Sequence, residues 1–167
     1  MTIKINDFDG IISLVNSKTY NTYVSENWEL EQLKRHFVTQ MNANSIIVWQ
    51  TNNFGGGEWK IKISMSESDE LAFSEFNKLI EVTDNKLYLA DYTDLTMAAQ
   101  FKTNKIPADY AKNQFFEIEN GVYNAKVRRL FNPDEQIKGD KIAFEIVMER
   151  TKTKEIDEVN KVFWWTF

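Results

Sequence analysis

The chain has 167 residues, a net charge of −5, 43% hydrophobic residues and no cysteine. That length suits one domain able to bury a real core, and the composition excludes a disordered chain, a disulfide framework, cysteine-ligated metal and thiol catalysis. The acidic balance excludes a nucleic-acid backbone binder, and the apolar runs fall far short of the ~20 residues that span a bilayer.

Aromatic residues are abundant, with 12 Phe, 6 Tyr and 5 Trp, so a core or a contact surface must be aromatic-rich. The first nine residues are acidic from Asp7 and carry no apolar secretory region, which points to a cytoplasmic protein. The negative charge is uneven. Residues 67–94 carry a net −6, while the flanking stretches nearly balance. Such a stretch suits a basic protein partner or an ordinary solvated surface.

In chain order, Phe8, Ile11, Ile12 and Val15 recur at helical spacing, which predicts a helix over 6–16 capped by Asn6 or Asp7. Residues 25–41 read as a second helix. Ser25 caps it, Glu26 and Glu29 favour its N-terminal dipole, and Leu30, Leu33, Phe37 and Met41 form its apolar face. After Asn42 the period becomes two. Residues 45–51 and 59–65 flank the turn cluster Asn52–Gly57 and predict a β-hairpin. Strands at 79–83 and 87–92 flank Asp84-Asn85-Lys86, with a positive φ expected at Asn85. Strands at 115–119 and 122–130 flank Asn120-Gly121, a strong hairpin signal. Residues 142–150 alternate as a further strand, after a loop bracketed by Asn132-Pro133-Asp134 and Gly139-Asp140. The final segment 162–167 is apolar on both faces and reads as a central strand or one docked on its outer face.

The segments Ile80–Tyr88 and Phe116–Tyr123 look alike: an apolar–acidic strand, a turn with Asn, then a strand opening apolar–Tyr. Two hairpins obeying one turn chemistry account for this better than a faint duplication does. The expected architecture is mainly β (α+β): an antiparallel β-sandwich of stacked hairpins with one or two helices near the N-terminus. Residues 1–41 form the helical segment, packed on a sandwich over 45–167 within a single domain.

No catalytic or metal-binding set emerges. His36 is the lone histidine, and one imidazole makes neither a His-based metal site nor a placed base. Gly55-Gly56-Gly57 is followed by Glu58-Trp59 and a strand instead of Lys-Ser/Thr and a helix, so it is a hairpin tip and not a phosphate loop. The carboxylate groups Asp91/Asp94 and Glu67/Asp69/Glu70 sit in stretches that read as exposed, without an apolar pocket to raise a pKa. The segment Asp91–Phe101 has neither strict period. It is either a contact surface, with Tyr92 as anchor and Asp91 and Asp94 pairing with basic groups, or a crossover whose Leu95, Met97 and Phe101 enter the core. Phe163, Trp164, Trp165 and Phe167 make either a core strand or a sugar- or protein-binding face, and Lys126, Arg128 and Arg129 line the wet side of a strand.

Residues 80–150, with Leu87-Tyr88-Leu89-Ala90-Asp91-Tyr92, Asn120-Gly121-Val122-Tyr123 and the outgoing strand 142–150, resemble small stand-alone bacterial β-sandwich proteins, among them the competence-associated nuclease inhibitor family (competence protein J). The resemblance omits the helical first 41 residues. It implies an acidic inhibitor that docks on a nuclease.

The expected function is therefore a non-enzymatic protein-binding domain, an acidic inhibitor or immunity-type protein acting on a basic enzyme such as a nuclease. Partner contacts are expected at Asp91, Tyr92, Asp94, Glu81 and Asp84. The alternative is a carbohydrate- or small-ligand-binding sandwich that stacks its ligand on Trp59, Trp164 or Trp165. No cofactor, metal, nucleic acid or membrane is expected, and the chain is read as a monomer or homodimer.

Overall fold

Strands with one apolar face must bury it, and two sheets here do so against each other. The computed structural model of the chain describes residues 1–137, 140–152 and 158–166. In order, the elements are β1 (Thr2–Asp7), β2 (Ile11–Val15), α1 (Leu30–Asn42), β3 (Ile46–Gln50), β4 (Gly57–Ser64), β5 (Ser74–Val82), β6 (Lys86–Asp91), α2 (Tyr92–Gln100), β7 (Phe115–Glu117), β8 (Gly121–Arg129) and β9 (Ile142–Thr151). One sheet has the order β1-β4-β9-β8-β5 and the other β3-β2-β6-β7. All pairings are antiparallel except β4 with β9, which run parallel. The mainly β sandwich with helices is thus present.

A first core lies between the sheets, built from Trp59, Ile61, Phe76, Ile80, Phe144 and Ile146 of the larger sheet and Ile12, Leu14, Ile47, Trp49 and Leu89 of the smaller. A second core lies on the other face of the smaller sheet. There Ile11, Val15, Ile46, Val48 and Ala90 meet Leu33, Phe37 and Met41 of α1 and Leu95, Ala98 and Ala99 of α2. The smaller sheet is therefore covered on both faces.

That burial explains the clearest misreading. Residues 6–16 are not a helix but the end of β1, a turn and β2. Every residue of β2 is buried, so the period-two signal vanishes and Ile11, Ile12 and Val15 imitate a helical face. The helix expected at 25–41 begins later, at Leu30. Glu29 and Gln32 form its capping box, while Ser25 Oγ accepts from the Asn27 N–H outside the helix.

The stacked hairpins are also corrected. The turns between β1 and β2, β3 and β4, β5 and β6, and β7 and β8 all cross from one sheet to the other. Paired neighbours such as β2–β3 and β6–β7 are instead joined by long excursions that carry α1 and α2. The two look-alike segments are facing arches: β5 pairs with β8 while β6 pairs with β7. Their turns grip each other. The Asn85 N–H donates to Asn120 Oδ1 at 2.7 Å and the Asn120 N–H to Asn85 Oδ1 at 3.2 Å. Asn85 has the expected positive φ of 52°.

The Asn52–Gly57 crossing depends on Gly56. Its φ is +103°, and a Cβ there would lie 2.2 Å from the Asp7 carbonyl oxygen. Gly139 and Phe167, both singled out in the sequence, lie outside the described residues. The chain before Phe167 is not a strand. Among the described residues it joins the β-ladder by one isolated bridge between Trp49 and Phe163 and otherwise packs through side chains, and Trp164 has a φ of 58°.

Candidate functional site

Two surfaces carry most of the unusual chemistry. The first lies at the N-terminus of α2. Asp91 closes β6 and caps the helix, its Oδ1 accepting from the Asp94 N–H at 2.9 Å. Asp94 accepts from the Tyr110 hydroxyl. Both carboxylates are buried, Asp91 to 9% exposure and Asp94 to 5%. Burial pushes the Asp91 carboxyl up to about 6, with the nearby charges of Asp94, Asp7 and Asp9 adding to the effect. Burial likewise raises Asp94, against the lowering hydrogen bonds from Tyr110 and the backbone. The expectation of exposed carboxylates without a pKa-raising site is therefore wrong for this pair.

Phe8 and Tyr110 flank the cleft, with 78% and 74% of their surfaces exposed. Leu95 enters the core as a crossover would require, but Met97 and Phe101 are 42% exposed. Tyr92 is half-buried against Trp165. The structure does not bring all five expected contact residues together. Asp91, Tyr92 and Asp94 lie at one end of β6, and Glu81 and Asp84 lie near its other end, where Asp84 is 3.9 Å from Lys18 Nζ. A groove of about 1000 Å³ runs between Asp84 and Asp94 past Tyr88, and Lys18, Lys105 and Lys112 line it too, so its charge is mixed.

Asp7, expected only as a helix cap, organises this end. It is 2% exposed. Its Oδ1 accepts from the N–H groups of Asp9, Gly10 and Ile11, and its Oδ2 accepts from Thr51 Oγ1 and Trp59 Nε1. The available signal was Asp-x-x-Gly ahead of an apolar run, an Asx-type turn, which the helical spacing concealed.

The second surface is the β4–β5 connection, residues 65–73, crossing the outer face of the larger sheet. Glu145 on β9 is fully buried. It pairs with Arg128 on β8 and with Lys62 on β4 at 2.8 Å, and it accepts from Ser68 Oγ at 2.9 Å. Burial would raise its carboxyl, but Lys62, Ser68 and Arg128 outweigh that and hold it at about 2. Arg128 also donates to the carbonyls of Ser68 and Glu70, and Glu67 pairs with Lys126 and Arg128. Arg128 and Arg129, expected on the wet side, are instead buried. Arg129 reaches the Gln50 carbonyl at 2.7 Å and lies 4.0 Å from the Trp164 ring centre.

The tryptophans expected to stack a ligand are wholly or partly enclosed. Trp59 is 3% exposed and stacks on Phe131, so it offers no face to a sugar. Trp164 is half-buried between Arg129 and Phe76, and Trp165 is half-buried against Phe37, with Lys34 Nζ 5.3 Å from its ring centre. His36 is half-buried and its Nε2 donates to the Asn21 carbonyl. Among the described residues, no group of His, Asp and Glu is placed to hold a metal, and no helix is long and apolar enough to cross a membrane.

No family model and no curated protein matches the chain. Two solved structures share its fold. One is described as crocagin biosynthetic gene J, with a TM-score of 0.59, 10% identity, and coverage of 90% of this chain and 96% of that one. The other is ComJ, an inhibitor of the DNA-degrading activity of NucA from Bacillus subtilis, with a TM-score of 0.52 and the same identity and coverage. The likeness therefore extends well beyond residues 80–150 and takes in the N-terminal part of the chain.

Proposed function

We propose that this chain is a non-enzymatic protein-binding domain that works as an inhibitor, with a basic enzyme such as a nuclease as its target. The observation that carries this reading is the fold shared over 90% of the chain with a protein described as an inhibitor of a DNA-degrading activity. Fold alone does not determine function, and two further features favour contact over chemistry. The best-defined carboxylates, Asp7 and Asp91, serve as turn and helix caps, and large apolar side chains stand exposed on loops. The carbohydrate-stacking alternative loses its support, because Trp59 is enclosed and Trp164 and Trp165 are committed to neighbouring side chains.

The test is inhibition. A panel of purified basic endonucleases is assayed on plasmid DNA with increasing amounts of the protein. The expected result is stoichiometric loss of cleavage for at least one of them, weakening as salt is raised. Undiminished cleavage across the panel, with no complex detected at low ionic strength, overturns the proposal.

A further inference from the structure

The loop over residues 65–73 joins β4 to β5, strands that are not neighbours in the sheet. It therefore has to cross β9 and β8 on the outer face of that sheet. A connection of this kind needs only to be solvated. This one is instead tied down by its main chain. Arg128 donates to the carbonyl oxygens of Ser68 and Glu70, the Ser68 N–H donates to Glu145, and the Phe73 N–H donates to the Arg129 carbonyl at 2.8 Å. Arg128 and Glu145, which do most of this holding, are almost wholly removed from solvent. A buried ion pair adds little net stability, because desolvation offsets its attraction. What this one supplies is a defined loop conformation.

The side chains so displayed are not those of an ordinary solvated loop. Leu71 is 93% exposed and Phe73 58%. Beside them, Asp69 and Glu70 are exposed and form no ion pair among the described residues. Glu67 and Glu75, by contrast, are engaged with Lys126 and Arg128. The loop thus holds two apolar side chains next to two free negative charges on a backbone that is already ordered. Pre-ordering removes much of the entropy lost when a loop is immobilised by a partner.

We propose that residues 65–73 are the docking loop of this protein, with Leu71 and Phe73 entering an apolar pocket of a partner protein whose rim is basic and meets Asp69 and Glu70. The acidic character of the loop is what selects a basic rim. This inference rests on the inhibitor reading above and places its contact away from the α2 end. Leu71 and Phe73 are the anchors, the acids steer approach, and Arg128 and Glu145 position the loop without touching the partner.

The experiment uses whichever basic endonuclease the protein inhibits in the panel above, and measures dissociation constant and association rate with the full chain. Leu71→Ser with Phe73→Ser is expected to weaken binding at least thirtyfold, in keeping with the loss of central apolar anchors. Both residues are exposed, so the variant should keep its melting temperature. Phe8→Ser, which removes the aromatic at the α2 end, should change affinity less than threefold. Asp69→Lys with Glu70→Lys should slow association and flatten its salt dependence. An endonuclease still bound within twofold by the Leu71→Ser, Phe73→Ser variant overturns the docking loop and leaves the inhibitor reading standing. The absence of any inhibited endonuclease overturns both.

Discussion

Asp91→Asn should stabilise the protein at neutral pH, although it removes a helix-capping carboxylate. The Asp91 carboxyl rises from 3.8 to about 6, chiefly because it is buried beside other acids. A carboxyl raised in the fold binds its proton more tightly there than in the unfolded chain. The protonated form is favoured, its contribution is complete below about pH 4, and it is lost as pH rises through about 6. Keeping the charge at that raised value costs the fold about 3 kcal/mol above pH 7, at about 1.4 kcal/mol per tenfold change in proton affinity. Asparagine caps helices as well as aspartate does, and its Oδ1 can accept from the Asp94 N–H as the carboxylate does now. It forgoes about 0.5–1 kcal/mol of charge–dipole attraction. The expected net gain is about 2 kcal/mol at pH 7.5 and nearly nothing at pH 4. Asp94 and Asp7 are present in both proteins, so the difference between them reports position 91 together with its charge coupling to those two acids. Urea unfolding at both pH values measures it. A variant less stable than the parent at pH 7.5, or a difference independent of pH, refutes the argument that burial of this charge works against the fold.

Three other substitutions test the frame around these surfaces. Asp7→Ala leaves five donors without their acceptor, the N–H groups of Asp9, Gly10 and Ile11, Thr51 Oγ1 and Trp59 Nε1. It should cost about 3 kcal/mol or more in urea unfolding. Glu145→Gln removes the buried counterion of Arg128, leaving it the longer pairings with the more exposed Glu67 and Glu75, and should cost about 3 kcal/mol at pH 7. Because the Glu145 carboxyl is held at about 2, below its ordinary 4.5, its contribution is present above about pH 4.5 and lost as pH falls toward 2, so the two proteins should converge in acid. Gly56→Ala must move its Cβ away from the Asp7 carbonyl and should cost more than 2 kcal/mol, whereas Gly55→Ala, with φ of +85° but open space, should cost about 1 kcal/mol by thermal melting.

Elements with a face in water were legible from their period, and β3, buried throughout, was legible from its β-branched run Ile46-Ile47-Val48. β4 alternates Trp59, Ile61 and Ile63 against Lys60 and Lys62, and α1 sets Leu33, Phe37 and Met41 on one stripe; both elements are legible as a strand and a helix, although α1 begins at Leu30 and not at residue 25. β2 has no wet face and was misread. Turn chemistry was legible as turns but not as topology. Asn120-Gly121 reverses the chain as expected, yet a reversal that pairs two strands and one that carries the chain to the opposite sheet use the same residues. Only the long-range partner distinguishes them, here the reciprocal bonds between Asn85 and Asn120. Of the expected contact residues, Asp91 and Asp94 read as exposed acids in the sequence, whereas their burial, Asp91 as helix cap and Asp94 as acceptor of the Tyr110 hydroxyl, depends on neighbours distant in sequence.

The acidic stretch 67–94 gains a different meaning once its charges are placed. Its excess does not form one negative patch. Glu67 and Glu75 are met by Lys126 and Arg128, Asp84 approaches Lys18, and Asp91 and Asp94 face inward with their proton affinity raised. Asp69 and Glu70 remain exposed on the anchored loop without an ion pair among the described residues, and Glu81 stands half-exposed at the far arch. Long-range attraction toward a basic protein depends on charges that solvent and partner can both reach, since paired charges largely cancel beyond a Debye length of about 8 Å. Steering should therefore follow Asp69 and Glu70 far more than the stretch's formal −6 suggests. On this view the residues that looked most like a charged contact, Asp91 and Asp94, set the conformation of the α2 end, and the negative charge a partner meets sits beside Leu71 and Phe73.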